Sequence, residues 1–131
     1  MMKLSEYAGY DALGLAELVA AGQVTPKELA LTAVAAVAKA DPRINAVVEL
    51  YADRIDGLDE EQLGSGPFRG VPILIKDVFG HEQGRIIEFG SRLCKGMKVE
   101  TSTAFLEGLR TAGFNILGRS AAPEYSMSGT T

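Results

Sequence analysis

Between Gly70 and Asp77 the chain reads Gly-Val-Pro-Ile-Leu-Ile-Lys-Asp: five consecutive apolar residues that end abruptly on two opposite charges. Three of the five, Val71, Ile73 and Ile75, are β-branched, so the segment suits a strand, and a run with no polar residue in it suits a buried one. Ser65-Gly66-Pro67 marks a turn ahead of it. Strand alternation puts Lys76 on the face of Pro72 and Leu74, and Asp77 on the face of Ile73 and Ile75. Two readings of Lys76 follow from the pattern. On an apolar face its ammonium is desolvated, which favours the neutral amine and makes a general base. Alternatively it is a strand-end lysine that reaches into water beside Asp77.

The elements before this strand are helical. Leu13, Ala16, Leu18 and Ala20 surround Glu17 in a short helix over residues 12–21 that stops at Gly22. Thr25-Pro26-Lys27-Glu28 opens a second helix: Thr25 caps the free amides, Pro26 suits the first helical position and Glu28 completes a capping box. Its stripe is Leu29, Ala33, Val37 and Ala40, and Asp41-Pro42 is expected to end it. Residues 44–51 are β-prone, and residues 53–63 are polar enough for an exposed helix or loop.

After Lys76 the glycines at 80, 84, 90 and 96 predict a folded-back loop over residues 80–98. Ser102 is expected to cap a helix with Ala104, Phe105 and Leu109 on its apolar side, closing at Gly113. Phe114 to Leu117 gives another short strand, and the polar stretch from Ser120 to Thr131 is interrupted by Pro123. Strand, helix, strand is the pattern of an α/β unit.

Composition narrows the function. Thirteen Lys and Arg against seventeen Asp and Glu leave a net charge of −4, which supplies neither a basic footprint for nucleic acid nor a polybasic anchor for a membrane. Small uncharged substrates remain open. One cysteine, Cys94, and one histidine, His81, are too few for an internal disulfide or a zinc site, and a reducing cytoplasm fits them. No cofactor is indicated. Gly113 to Ser120 approaches the phosphate-loop pattern G-x-x-x-x-G-K-[ST], but a helix precedes it, strand-like residues fill it, and Arg119 replaces the lysine. A Cys94–His81 thiol–imidazole pair lacks a third residue to orient the histidine.

Several blocks together carry a resemblance. They are Gly70-Val71-Pro72-Ile73-Leu74-Ile75-Lys76-Asp77, Gly90-Ser91, Leu109-Arg110-Thr111-Ala112-Gly113, Ile116-Leu117-Gly118-Arg119-Ser120 and Pro123-Glu124, preceded by Leu18, Thr25-Pro26 and Ile44-Asn45-Ala46-Val47. In order and approximate spacing the set resembles the amino-terminal part of the amidase-signature family. The resemblance implies an α/β fold: amino-terminal helices over residues 1–45, then over residues 46–131 the first part of a mixed β-sheet core flanked by helices, the whole being an incomplete portion of one amidase domain. It implies carboxamide C–N hydrolysis by a Ser–cis-Ser–Lys triad through an acyl-enzyme, with Lys76 as the lysine.

The two serines belong to glycine- and serine-rich segments, and none of Ser5, Ser65, Ser91, Ser102, Ser120, Ser126 and Ser128 has the flanking double glycines. They are expected beyond Thr131, in a longer enzyme, and the 131-residue chain alone is expected to be inactive. Ser126-Met127-Ser128 resembles the segment that lines the acyl side of the substrate cleft, although a plain polar loop reads equally well. Arg119-Ser120 stands where the family often has Lys-Thr, a departure expected to leave catalysis untouched. The partner implied is a small amide, and a homodimer of the intact protein is compatible with the family. Two other readings remain: a non-catalytic interaction domain of the same architecture, and an amidotransferase component that passes ammonia to aminoacyl-tRNA.

Overall fold

The computed structural model describes residues 2–131. Helices α1 (Leu4–Tyr7), α2 (Ala12–Ala20) and α3 (Pro26–Ile44) lead into strand β1 (Val47–Leu50) and the single turn α4 (Ala52–Ile55); strand β2 (Pro72–Lys76), helix α5 (Ala104–Thr111) and strand β3 (Asn115–Ser120) follow. Short 3-10 turns lie at Glu60–Gln62, Arg92–Cys94 and Glu124–Ser126. Among the described residues no helix is long and apolar enough to cross a membrane.

Local chemistry sets the helix starts. The Asp11 carboxylate accepts from the Gly14 amide at 2.8 Å at the head of α2, and the Thr25 hydroxyl accepts from the Glu28 amide at 3.1 Å at the head of α3; such caps satisfy amides that have no partner inside the helix. Helix α3 does not stop at Asp41-Pro42 as expected but carries Pro42 within its last turn and ends at Asn45, which adopts a left-handed conformation. Asp41 explains the extension. Its carbonyl accepts from the Asn45 amide, and its carboxylate accepts from the amides of Ala46 and Val47 at 2.7 and 2.9 Å, so the amides at and just past the helix end are bonded across the turn into β1.

The strands form one mixed sheet in the order β1-β3-β2, with β1 antiparallel and β2 parallel to β3. Chain β2–α5–β3 is thus a parallel crossover unit. The central strand is β3, buried from Asn115 to Arg119 and longer than the sequence indicates. Ile116 packs with Ile75, Tyr51 and Leu106 of α5, while its neighbour Leu117 packs with Ala30 and Ala33 of α3, so alternation feeds two cores on opposite faces. Leu15, Val24, Leu29 and Val71 make a third cluster, flanked by the stacked rings of Phe68 and Phe114. Gly118 allows β1 to approach: a β-carbon there would lie 2.0 Å from the Glu49 carbonyl oxygen.

Strand β2 corrects the expectation of a wholly buried run. It lies at the sheet edge among the described residues, so Pro72, Ile73 and Leu74 are half-buried and only Ile75 within it is fully covered. Helix α5 is capped by Thr103, whose hydroxyl accepts from the Leu106 amide; the expected cap, Ser102, instead accepts from the Gln83 amide. Its buried residue is Leu106, and Phe105 faces outward.

Candidate active site

Lys76 is the last residue of β2, directly opposite Ser120 in the parallel register with β3. The Asp77 amide donates to the Ser120 carbonyl at 3.0 Å, and the Ser120 hydroxyl donates to the Ile75 carbonyl at 3.4 Å, so the backbone on both sides of Lys76 is tied to β3. The side chain itself is exposed, and no hydrogen bond or ion pair engages it among the described residues. This corrects the desolvated reading for residues 2–131: Lys76, at the end of an edge strand, is exposed. Asp77 shares the face of Ile75, as the sequence indicates, and both are buried.

Asp77 is 3% exposed and fully engaged. One carboxylate oxygen accepts from the Glu88 amide at 2.9 Å and from Arg119 Nη1 at 2.5 Å; the other accepts from the Gly90 amide at 3.2 Å. Arg119, 5% exposed on the central strand, also donates from Nε to Glu49 on β1 at 2.9 Å and places Nη2 3.7 Å from Glu88 Oε2. Burial disfavours the guanidinium charge, but Asp77 and Glu49 outweigh it and raise the Arg119 pKa further above its ordinary value. A buried cation needs such partners.

The two amides that Asp77 receives curl residues 78–90 back over the strand end. This loop then carries the segment around Glu124. Ser91 donates to Glu124 Oε1 at 2.7 Å, the Tyr125 amide donates to the Phe89 carbonyl at 2.8 Å, and the Phe89 and Tyr125 rings stack with centroids 5.9 Å apart. Phe79, Phe89, Tyr125 and Ser126 all have positive φ, from 49° to 67°. Residues with side chains adopt that conformation at a cost of order 1 kcal/mol each, and four of them here mark a tightly constrained turn region. Ser126 points its hydroxyl into the protein without a partner, whereas Met127 is 86% exposed and Ser128 is exposed.

A second network lies apart from Lys76. One oxygen of buried Glu82 accepts from Arg54 at 2.7 Å and Arg110 at 2.6 Å, with Arg85 Nε 3.8 Å away. Arg85 also makes a two-point pair with Asp53, which lowers the Asp53 pKa, and lies 4.1 Å above the Tyr51 ring. Burial, first, and then the Glu49 charge push the Tyr51 hydroxyl pKa up to about 12. These residues bind α4, the 81–85 loop and α5 together.

The site residues expected from sequence therefore divide. Lys76 and the 126–128 segment are linked through Asp77, the 88–91 loop and Glu124, but no hydrogen bond or ion pair joins them directly among the described residues. The sequence reading missed Arg119 and Glu82. A signal for Arg119 was present, because an arginine following Ile116-Leu117-Gly118 in a strand must find carboxylates. Cys94 meets the Tyr125 hydroxyl at 3.3 Å and His81 packs edge-on to Phe89, so the two do not pair. Residues 115–120 are strand, which removes the phosphate-loop geometry. Among the described residues no group of three His, Cys, Asp or Glu could hold a metal. Three clefts, of about 450, 700 and 190 Å³, lie at Arg54–Arg110, between α1 and α3, and beside Leu74 and Leu117; Lys76 lines none of them.

No protein-family model matches the chain. The 6-aminohexanoate-cyclic-dimer hydrolase of Paenarthrobacter ureafaciens is 36% identical over 126 residues, which cover 92% of this chain and 24% of that protein. A glutamyl-tRNA(Gln) amidotransferase component of Acidothermus cellulolyticus is 27% identical over 135 residues, covering 98% and 26%. A solved structure of 6-aminohexanoate cyclic dimer hydrolase superposes with a TM-score of 0.82 at 34% identity, over 95% of this chain and 25% of that one. The chain spans about a quarter of the length of these relatives. In sequence and in its mixed α/β fold, this chain belongs with the amidase-signature enzymes and corresponds to their amino-terminal portion.

Proposed function

We propose that the full-length protein is a carboxamide hydrolase in which Lys76 is the base of a Ser–cis-Ser–Lys relay, the two serines lying outside residues 1–131. The observation that carries this reading is the state of Lys76: a side chain without a partner among the described residues, at the end of a strand whose backbone is fixed on both sides by Ser120. Such a lysine is free to engage a serine hydroxyl brought to it. The nucleophilic serine attacks the amide carbonyl, its proton passes through the bridging serine to neutral Lys76 Nζ, and the departing amine takes that proton back. Water then releases the acyl group from the serine.

In this reading Ser126, Met127 and Ser128 line the acyl side of the cleft, supported by the constrained backbone at Tyr125 and Ser126 and the exposure of Met127. The 131-residue chain alone is inactive. Similarity to a hydrolase of a cyclic amide at 36% identity, against 27% for the amidotransferase component, favours hydrolysis over ammonia transfer. The test is to incubate the full-length protein with a panel of amides and follow intact mass. An acyl adduct on a serine, absent in Lys76→Ala, is the expected result. Turnover without any adduct contradicts the acyl-enzyme route, and the absence of both turnover and adduct across the panel favours a non-catalytic interaction domain.

A further inference from the structure

Among the described residues, Asp77 and Arg119 form the one side-chain arrangement that touches every strand and the loop around Lys76. Arg119 leaves the central strand and bonds Glu49 on β1, Asp77 at the end of β2 and, more distantly, Glu88 in the following loop. Glu88 in turn accepts from the Gly96 amide at 2.8 Å, which extends the hold to the far side of the same loop. Asp77 accepts from the Glu88 and Gly90 amides, and Gly90 is followed by Ser91, which bonds Glu124 two residues before Ser126. Lysine at position 119 could meet Asp77 but could not divide its charge among donors aimed at three carboxylates.

Resting on the amide-hydrolase reading, we propose that Asp77 and Arg119 are positioning residues that fix Lys76 and the Ser126–Ser128 segment relative to each other. Neither touches substrate. Asp77 adjoins Lys76 in the chain and sets the direction in which its backbone leaves the sheet; the same carboxylate anchors the loop that carries residues 124–126. Release of this pair lets the base and the acyl-side segment move independently, which lowers turnover more than substrate binding.

The experiment compares Asp77→Asn and Arg119→Lys with Arg110→Lys in the full-length protein. Arg110→Lys weakens the separate Glu82 network, in which Arg110 pairs with Glu82 and Glu107 and which shares no hydrogen bond or ion pair with Lys76 or residues 124–128 among the described residues. Two quantities are measured: kcat and KM for an amide substrate, and the rate at which Lys76 is acetylated by limiting acetic anhydride, read by peptide mass spectrometry. Arg119→Lys, which keeps a cation beside Asp77, secures a folded variant if Asp77→Asn fails to fold. Expected for Arg119→Lys is a fall in kcat of about tenfold or more, with KM within about threefold, and a changed acetylation rate at Lys76 but not at Lys39. Arg110→Lys is expected to change none of these. A kcat and a Lys76 acetylation rate unchanged in Arg119→Lys, or changed equally in Arg110→Lys, overturn the proposal. Should the unmutated protein hydrolyse no amide, the hydrolase reading fails separately, and the acetylation rates still decide whether the pair positions Lys76.

Discussion

Gly90 and Ala122 meet so closely that a β-carbon on Gly90 would lie 2.1 Å from the Ala122 carbonyl oxygen. Gly90 also has φ +62°, so a side chain there is disfavoured by its own backbone as well as by the neighbour. The contact clamps the loop after Lys76 onto the segment that leads to Ser126. Gly90→Ala should destabilise the protein by at least about 2 kcal/mol. Denaturant unfolding of the full-length protein checks this, and a loss under about 0.5 kcal/mol would show that the two backbones separate freely.

Tyr51 gives the stability a defined alkaline limb. Its folded-state pKa of about 12 lies above the ordinary tyrosine value of 10.0, so the folded protein holds this proton more tightly than the unfolded chain. The stabilisation is complete below pH 10 and is lost as pH rises from 10 to 12, by up to about 3 kcal/mol. Because the hydroxyl is buried without a partner, Tyr51→Phe should be neutral or stabilising by about 1 kcal/mol at pH 7 and should flatten that limb. Unfolding free energies of both proteins between pH 7 and 11.5 provide the measurement.

Leu106 and Phe105 exchange the roles that their hydrophobicity suggests. Leu106→Ala opens a cavity against Ile75 and Ile116 and should cost about 2–5 kcal/mol, whereas Phe105→Ala, on the exposed side of α5, should cost under about 1 kcal/mol. Thermal and denaturant unfolding of the two variants distinguish the faces. The sequence pattern placed Ala104, Phe105 and Leu109 on the apolar side; packing of Leu106, with Leu109, against Ile75 and Ile116 sets the buried face and leaves Phe105 outside it.

Where a single residue's chemistry decides the structure, the sequence was legible. Thr25 and Pro26 start α3 as their side chains dictate, and alternation put Asp77 on the face of Ile75, where both are buried, while leaving the exposure of Lys76 open. Where the outcome depends on residues far along the chain, it was not. Pro42 fails to end α3 because Asp41 reaches forward to Ala46 and Val47, and β2 is half-buried because its place in the sheet is set by pairing with β3, 45 residues later. Arg119 looked like a neutral replacement for lysine, since its partners Glu49 and Asp77 lie 70 and 42 residues away and come together only when the sheet closes.

The assignment of Lys76 as the base is tested most directly by kcat/KM for amide hydrolysis in the full-length protein and its Lys76→Ala variant, alongside the Tm of each. Lys76 is exposed and its side chain makes no hydrogen bond or ion pair in residues 2–131, so its removal should leave Tm nearly unchanged. The account predicts a fall in kcat/KM of about a thousandfold or more at unchanged Tm. Hydrolysis retained within about threefold would contradict it.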